Sequence, residues 1–397
     1  MNREPIGLYL HIPFCPSKCP YCDFCSYPRP TEARMEDYTR ELARRIRATG
    51  GAYREVLHRE SGTTSDALPV DTVYFGGGTP TLLPSGCVTE LFEAIYEGFT
   101  VLPDAEITVE GNPAAAGLET LAHWRANGVN RLSLGAQSAQ TEELKALGRL
   151  HRWEDVVDTV THARAVGIHN VNLDFMLGIP RQTPESLADT LERALALDPT
   201  HLSAYTLMLE EGTPFHRRGR AGLGLPADED EADELAVSMW EQASAAIRAA
   251  GYEHYEISNY AKPGCRSRHN LHTWQCRDYL GLGVAAHSCM DGVRFGQSRD
   301  LEGFLRGEDV TEFREVLTPA HREAEYIMLA LRLSDGIEES DFARRFGHDF
   351  WHTYGDVCIP FIEGGFMRRH GGRVHLAESG FPVSNGVIGE LVGDLLV

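Results

Sequence analysis

The first half of the chain alternates short apolar runs with longer stretches of helical period, and this alternation constrains its fold more than any other feature. The clearest helix is predicted over 183–197, with Thr183 as the N-cap and Pro184 in the first turn. Strands and helices in alternation predict a parallel sheet, and six such units are too few for a closed eight-unit barrel. The predicted strands cover residues 7–12, 72–75, 106–110, 131–134, 170–175 and 201–207.

Three regions are predicted along the chain. The alternation weakens after residue 209, and a glycine-rich stretch at 219–226 predicts the end of a first domain over 1–226. A helical connecting region is predicted over 227–317. Thr318-Pro319 predicts a new helix start, and Gly371-Gly372 between two short arms predicts a hairpin, so we expect a small α+β, winged-helix-like domain over 318–397.

Charge and cysteine content narrow the partners and the compartment. The formal net charge of -21 repels phosphate backbones, so nucleic acid is not an expected partner. The chain has nine cysteines, three of them at the spacing of a metal cluster, and no secretory signal is recognised before them. These features predict a reducing compartment, the cytoplasm. No apolar run is long enough to predict a transmembrane segment.

Cys15, Cys19 and Cys22 form a C-x3-C-x2-C run directly after the first predicted strand. Three thiolates at this spacing can each bind one iron of a [4Fe-4S] cluster and leave the fourth iron open for chemistry. Cys25 extends the run, so a closed four-thiolate cluster or a zinc site stays an alternative. Ferredoxins use other spacings and zinc sites usually pair two separated C-x2-C units, so we favour the open cluster.

The stretch from Gly7 through Cys15 to Phe24 resembles the opening of the radical S-adenosylmethionine (SAM) superfamily, and within it the oxygen-independent coproporphyrinogen III oxidase group. The resemblance implies an α/β fold, a partial (β/α)6 TIM-like barrel followed by the small C-terminal domain. It also implies a [4Fe-4S] cluster, SAM bound at the open iron, and a low-potential electron donor such as a flavodoxin or a ferredoxin.

Residues at successive strand ends match positions that contact SAM in this group. The Gly76-Gly77-Gly78 run lacks the phosphate-loop pattern, and glycines let a backbone approach a ligand closely. The planar guanidinium of Arg149 suits the carboxylate of SAM. The predicted cofactor residues are Tyr9, Tyr21, Gly77, Gly78, Thr79, Glu110, Gln137, Arg149, Asp174 and Met208, with a plain core role left open for Tyr9, Tyr21 and Met208.

A second diagnostic stretch covers 265–274 and 278–287, and it resembles segments of the heme chaperones of the same group. His269 is the predicted heme ligand, because neutral imidazole is a common axial donor to heme iron. His272, Cys265 and Cys276 are alternatives. Thr273 stands where the heme-associated motif has tyrosine.

The resemblance implies a heme chaperone that binds heme and transfers it to an acceptor protein, with no catalytic residue assigned and SAM cleavage left open. Radical decarboxylation of coproporphyrinogen III is the alternative, although those dehydrogenases carry a further cysteine where Asp23 stands here. A radical SAM methyltransferase is a further alternative. The G-x-G-x-x-A pattern at 281–286 would suit a dinucleotide-binding oxidoreductase, but no clean strand is predicted before it.

Overall fold

A twelve-stranded sheet organises most of the chain in the computed structural model, which describes residues 3–61 and 67–393. The sheet consists of β1 and β4 to β14, while β2 with β3 and β15 with β16 and β17 form two smaller sheets. The strands of the described residues are β1 Ile6–Ile12, β2 Phe14–Cys15, β3 Tyr27–Pro28, β4 Pro69–Gly77, β5 Thr100–Gly111, β6 Arg131–Gln137, β7 Asn170–Leu177, β8 His201–Thr206, β9 Glu253–His254, β10 Asn259–Ala261, β11 Tyr279–Leu282, β12 His287–Met290, β13 Val293–Gln297, β14 Thr311–Val316, β15 Ile337–Glu338, β16 Met367–His370 and β17 Arg373–Leu376.

Helices cover the outer face of the sheet and build the C-terminal domain. They are α1 Glu32–Ser61, α2 Ser85–Gly98, α3 Leu118–Ala126, α4 Thr141–Ala146, α5 Trp153–Ala165, α6 Pro184–Ala196, α7 Pro214–Gly222, α8 Glu229–Ala249, α9 Arg268–Trp274, α10 Leu301–Leu305, α11 Pro319–Ala330, α12 Glu339–Phe346, α13 Phe350–Glu363 and α14 Ser384–Val392. Short 3-10 turns cover Pro80–Leu82, Pro113–Ala115 and Glu378–Gly380. Within the described part of the chain, no helix combines the length and apolarity needed to cross a membrane.

Six parallel strands, β1 and β4 to β8, lie in chain order as the centre of the sheet. This confirms the predicted partial barrel. The connecting helices bury one apolar stripe: α6 begins at the predicted N-cap Thr183, whose hydroxyl accepts from Ser186 N–H, and it buries Leu187 and Leu191. All six strands end at the same edge, where sites in such folds are built.

The middle region is not the helical connection that was predicted for 227–317. Strands β9 to β14 extend the barrel sheet at both edges: β11 pairs in parallel with β1, β12 to β14 continue antiparallel, and β10 and β9 continue beyond β8. The prediction is wrong because these strands are two to six residues long, too short for a readable period. The G-x-G-x-x-A segment lies on β11 and leads into an antiparallel strand instead of a helix, so the dinucleotide-binding alternative is also wrong.

The C-terminal domain, described up to residue 393, packs α11 to α14 against a three-stranded sheet of β15, β17 and β16. Its helix α11 begins at Thr318, whose hydroxyl accepts from His321 N–H. Gly371 and Gly372 both adopt positive φ between β16 and β17, as a two-residue hairpin turn requires. The predicted helices and terminal hairpin are confirmed, while residues 394–397 lie outside the described part.

Candidate functional site

The cysteine run lies at the carboxyl edge of the barrel. β1 ends at Ile12, and Cys15 follows in β2, which pairs with β3 and so fixes both ends of the loop that holds Cys19 and Cys22. The three thiols are free and partly exposed. This position agrees with the rule that sites form where parallel strands end.

The three predicted cluster cysteines interact with one another, and Cys25 does not share their environment. Burial is the largest cause that raises the pKa of Cys22, and the neighbouring Cys19 and Cys15 raise it further. Cys25 is only 7% exposed and lies in the hydrophobic core, where its thiol contacts the Tyr27 hydroxyl at 3.9 Å. The loop therefore presents three thiols together and sets the fourth apart.

Protonation of these thiols is coupled to metal binding. Burial raises the pKa of Cys15, although the Thr79 hydroxyl, 3.5 Å from its Sγ, acts in the other direction. Burial also raises the pKa of Cys22. Without a metal both thiols hold their protons at neutral pH, so cluster assembly must release them.

The glycine run after β4 binds the cysteine loop through its backbone. Gly78 N–H donates to Ile12 O at 2.8 Å, and Thr79 N–H donates to Phe14 O at 2.7 Å. A Cβ on Gly78 would lie 2.6 Å from Phe14 O, and one on Gly77, where φ is +106°, would lie 2.4 Å from the His11 ring. The close approach that requires glycine is therefore to the protein itself, which positions Thr79 beside Cys15.

Glu110 lies directly beneath this glycine run at the end of β5. Its carboxylate accepts from Gly77 N–H at 3.0 Å and from the Tyr74 hydroxyl at 2.8 Å. Burial raises the pKa of Glu110 to about 7, against the effect of these hydrogen bonds. No ion pair to Glu110 occurs among the described residues. Arg131 acts on this carboxylate without forming an ion pair and does not overcome the effect of burial, so a positively charged group in contact with Glu110 would complete its charge.

Asp174 and Arg149 complete the polar lining near the cysteine loop. Asp174, on β7, accepts from the Asn172 amide at 2.7 Å, and burial raises its pKa. Arg149 donates to Gly135 O at 2.7 Å and approaches the Cys19 Sγ at 3.8 Å. Its Nε–H is buried and has no hydrogen-bond partner in the described part of the chain. Arg131 and Arg149 lower the pKa of Asp174 without overcoming burial, and the Arg149 Nε–H is a donor that could bind a carboxylate.

The other predicted cofactor residues, Gln137, Tyr21, Met208 and Tyr9, differ in their burial and in their contacts. Gln137 has a positive φ of 66°, accepts from the Tyr205 hydroxyl at 3.0 Å and ends β6 beside Arg149. Tyr21 packs against Phe215 next to the cysteine loop. Met208 is 70% exposed just beyond β8, which is incompatible with the core role left open for it. Tyr9 lies deeper, where its hydroxyl contacts the His11 ring.

The predicted heme ligand His269 lies at the opposite end of the barrel. Its helix α9 packs against β1 and β4, and the His269 ring stacks on Tyr74 with centroids 4.9 Å apart. His269 Nδ1 lies 3.0 Å from the Thr72 hydroxyl, which leaves Nε2 as the ring nitrogen without a partner among the described residues. Burial lowers the pKa of His269 to about 3, so the ring is neutral. The heme-ligand assignment stays a prediction.

A network of ions holds α9 in place at this end. Asp71 contacts His272 at 2.8 Å, Arg277 at 3.4 Å and Arg268 at 3.6 Å. Burial alone would raise the pKa of Asp71, but the close contact with His272 and the two guanidinium groups hold it below its usual value. His272, an alternative heme ligand in the sequence, contacts Asp71 through Nε2, and its assignment as a ligand stays a prediction.

Sequence reasoning missed several residues that point into the barrel. Tyr74 holds Glu110, Asn172 holds Asp174, and His11 packs against Gly77 while its Nε2 contacts Cys25 O at 2.8 Å. The available signal was polar residues at every second position of otherwise apolar strands, which marks the inward face.

Two family models match the chain. The radical SAM superfamily model matches residues 9–194, and the HemN C-terminal domain model matches residues 317–383. The first match covers the strands that carry the cysteine loop, and the second covers the domain with the terminal hairpin. Fold and site therefore define a radical SAM protein.

Curated relatives extend this match to nearly the whole chain. Heme chaperone HemW of Escherichia coli (strain K12) is 34% identical over 86% of this chain and 86% of its own length. Heme chaperone HemW of Bacillus subtilis (strain 168) is 32% identical over 98% of this chain and 99% of its own length. The chain belongs to the HemW family.

A solved structure shows the same architecture. Coproporphyrinogen III oxidase (HemN) from Escherichia coli superimposes with a TM-score of 0.80, covering 98% of this chain and 91% of that chain. At 22% identity the likeness shows the fold: the partial barrel and its C-terminal domain.

Membership of the superfamily implies a [4Fe-4S] cluster and SAM. The side chains fit both groups. Three free thiols stand together at the carboxyl edge of the barrel. SAM carries a sulfonium, an ammonium and a carboxylate. Glu110 and Asp174, whose pKa values burial raises and which form no ion pair among the described residues, match its positive charges and hydroxyl groups, and the Nε–H of Arg149 matches its carboxylate.

Proposed function

We propose that this chain binds heme and delivers it to an acceptor protein, and that it carries a [4Fe-4S] cluster on Cys15, Cys19 and Cys22. The observation that carries this proposal is the alignment, over nearly the whole length, with relatives named heme chaperone HemW. When bound, the [4Fe-4S] cluster would supply one-electron chemistry after reduction by a low-potential donor such as a flavodoxin or ferredoxin. Nine free cysteines support a reducing compartment, the cytoplasm.

The barrel residues are proposed to hold SAM at the carboxyl edge. Glu110 would bind the ammonium, Arg149 the carboxylate, and Asp174 the ribose hydroxyls. Gly77, Gly78 and Thr79 would form the wall that joins this site to the cysteine loop, and Gln137, Tyr9, Tyr21 and Met208 would line the remainder. The raised pKa of Glu110 supports its part, because a cation in contact would restore its charge.

The position of Asp23 supports chaperone over dehydrogenase. Its carboxylate is half-exposed and paired with Arg299 at 3.2 Å, so it belongs to the surface next to the cysteine loop. The cysteine that marks the dehydrogenases at this place is replaced by a residue that cannot supply sulfur.

A heme titration tests the proposal. Anaerobically reconstituted protein is titrated with heme while the Soret band is followed, and bound heme is then offered to excess apomyoglobin. Separately, the reduced protein is given SAM and coproporphyrinogen III, and protoporphyrinogen IX and 5'-deoxyadenosine are measured. We expect saturable heme binding, release to apomyoglobin and no porphyrinogen product. Product formation without heme binding would establish the dehydrogenase instead.

A further inference from the structure

A cavity of about 1030 Å³ lies between the antiparallel edge of the barrel sheet and the C-terminal domain. One wall is the face of β11 to β14, and the other is formed by α11 and the end of α12. This size is at the upper end of the range for cofactor sites, which favour such places between domains. The cavity is separate from the cysteine loop.

Strand register places the groups on the sheet wall. Cys289 is directly opposite Tyr279 on β11 and Arg294 on β13, and His287 is opposite Gly296, which is in turn opposite Phe313 on β14. Opposite residues of an antiparallel pair share a face. Two metal-binding side chains, His287 and Cys289, therefore project from one strand toward the same cavity, and both line it.

The charges around the cavity leave a cation free. Glu325 pairs with Arg294, Glu323 with His348 and the Tyr354 hydroxyl, and Glu315 with His321. Arg322 lines the cavity and has no ion pair or side-chain hydrogen bond among the described residues. Within residues 3–61 and 67–393 the His287 ring has no hydrogen bond, and its one ring contact there is edge-on with Phe313, with centroids 5.4 Å apart.

The remaining walls suit a flat, apolar molecule. Tyr279, Phe313, Tyr326 and Phe346 supply aromatic surface, and Leu317 and Met328 supply aliphatic surface. A planar apolar macrocycle with an acidic rim and a central metal would use every one of these features: aromatic walls, a free guanidinium and an axial imidazole or thiolate.

The cavity also meets the stretch that predicted heme binding. Thr273 and Cys276, at and just beyond the end of α9, both line it, while His269 and His272 of the same helix are turned toward the barrel. Helix α9 therefore contacts the barrel through His269 and His272, and its carboxyl end lines the cavity. Threonine leaves more room at this point than the tyrosine of the heme-associated motif.

We propose that an iron porphyrin binds in this cavity, with His287 or Cys289 as the axial ligand and Arg322 bound to a porphyrin carboxylate. The proposal rests on the proposed heme function and names its site. Electrons and atoms are unchanged by binding, apart from the proton that Cys289 would lose on ligation.

Paired titrations with heme and with metal-free protoporphyrin IX test the site. Combining His287→Ala with Cys289→Ala is expected to weaken heme binding by about tenfold or more and to leave protoporphyrin IX binding within about twofold, since only heme uses the axial bond. Arg322→Glu is expected to weaken both by about tenfold, because both carry the carboxylates. His352→Ala, an exposed histidine outside the cavity, serves as the matched control and should match the wild type.

The outcomes separate the site from the function. If the wild type binds no heme, the proposed function fails together with the site. If the wild type binds heme and the double variant binds it equally, the site alone is wrong. A loss of binding confined to His269→Gln would place the ligand in the barrel and also overturn the site. Equal loss of heme and protoporphyrin IX in the double variant would mean a structural role for these side chains and would overturn the axial assignment.

Discussion

The two ends of the barrel treat a buried carboxylate in opposite ways. At the amino end of the strands, Asp71 contacts His272 and two arginines, and its pKa lies below the usual value. At the carboxyl end, Glu110 has hydrogen bonds but no ion pair among the described residues, and burial raises its pKa to about 7. The protein completes its own charges at one end and leaves them incomplete at the other, where a cationic ligand would supply the missing partner.

Removing the cysteines gives the largest expected effect at the incomplete end. Combining Cys15→Ala, Cys19→Ala and Cys22→Ala should abolish iron binding, because each thiolate would hold a separate iron. Cys25→Ala is the matched control and should retain the iron, since Cys25 lies in the core. Iron content and visible absorbance after anaerobic reconstitution measure both. If Cys25→Ala also strips iron, the site has four protein ligands and the vacancy for SAM does not exist.

Removing the contact between Asp71 and His272 at the amino end of the strands should lower the stability of the fold and leave cofactor binding unchanged. His272→Ala leaves Asp71 buried without its nearest partner, so the free energy of unfolding should fall by about 2–4 kcal/mol. Asp104→Asn alters an exposed carboxylate that contacts Arg268, one of the arginines near Asp71, and should change the free energy of unfolding little. Denaturant unfolding measures both variants. A His272→Ala protein of wild-type stability would show that the network does not hold α9 against the barrel.

Glu110→Gln is expected to have the smallest effect on stability. It tests whether burial destabilises the charged form of Glu110, in contrast to the charged form of Asp71. In the folded state the pKa of Glu110 is raised from 4.5 to about 7, so its contribution to stability is complete below pH 4.5 and is lost as pH rises through about 7. Without cofactor, Glu110→Gln should therefore gain about 1–3 kcal/mol relative to the wild type between pH 5 and pH 8. Asp71 has the reverse dependence: its contribution is lost on acidification.

Unfolding curves at several pH values, with exposed Glu142→Gln as the control, measure this shift. SAM binding by calorimetry should weaken about tenfold in Glu110→Gln, because a hydrogen-bonded charge is replaced by a neutral amide. A stability difference independent of pH would mean that Glu110 is already compensated in the folded protein.

Local sequence signals predicted the parts of the fold that repeat. The strand β7 and the helix α6 each have a period long enough to read. Thr183 marks the start of α6, and Gly371-Gly372 marks the turn between β16 and β17, both by known backbone preferences. The short strands β9 to β14 lack such a period, so the extension of the sheet was missed. The cavity against the C-terminal domain depends on that extension and could not be foreseen.

The sequence by itself determined the cysteine spacing, the βα order and the hairpin turn, since each depends on residues close together in the chain. Only the tertiary structure decided that Cys25 lies in the core, that the glycine run packs on Ile12 and Phe14, and that Asp71 and Glu110 have opposite electrostatic surroundings. The reason is that burial and charge pairing depend on neighbours from distant segments, such as the contact between Asp71 and His272 across the barrel end.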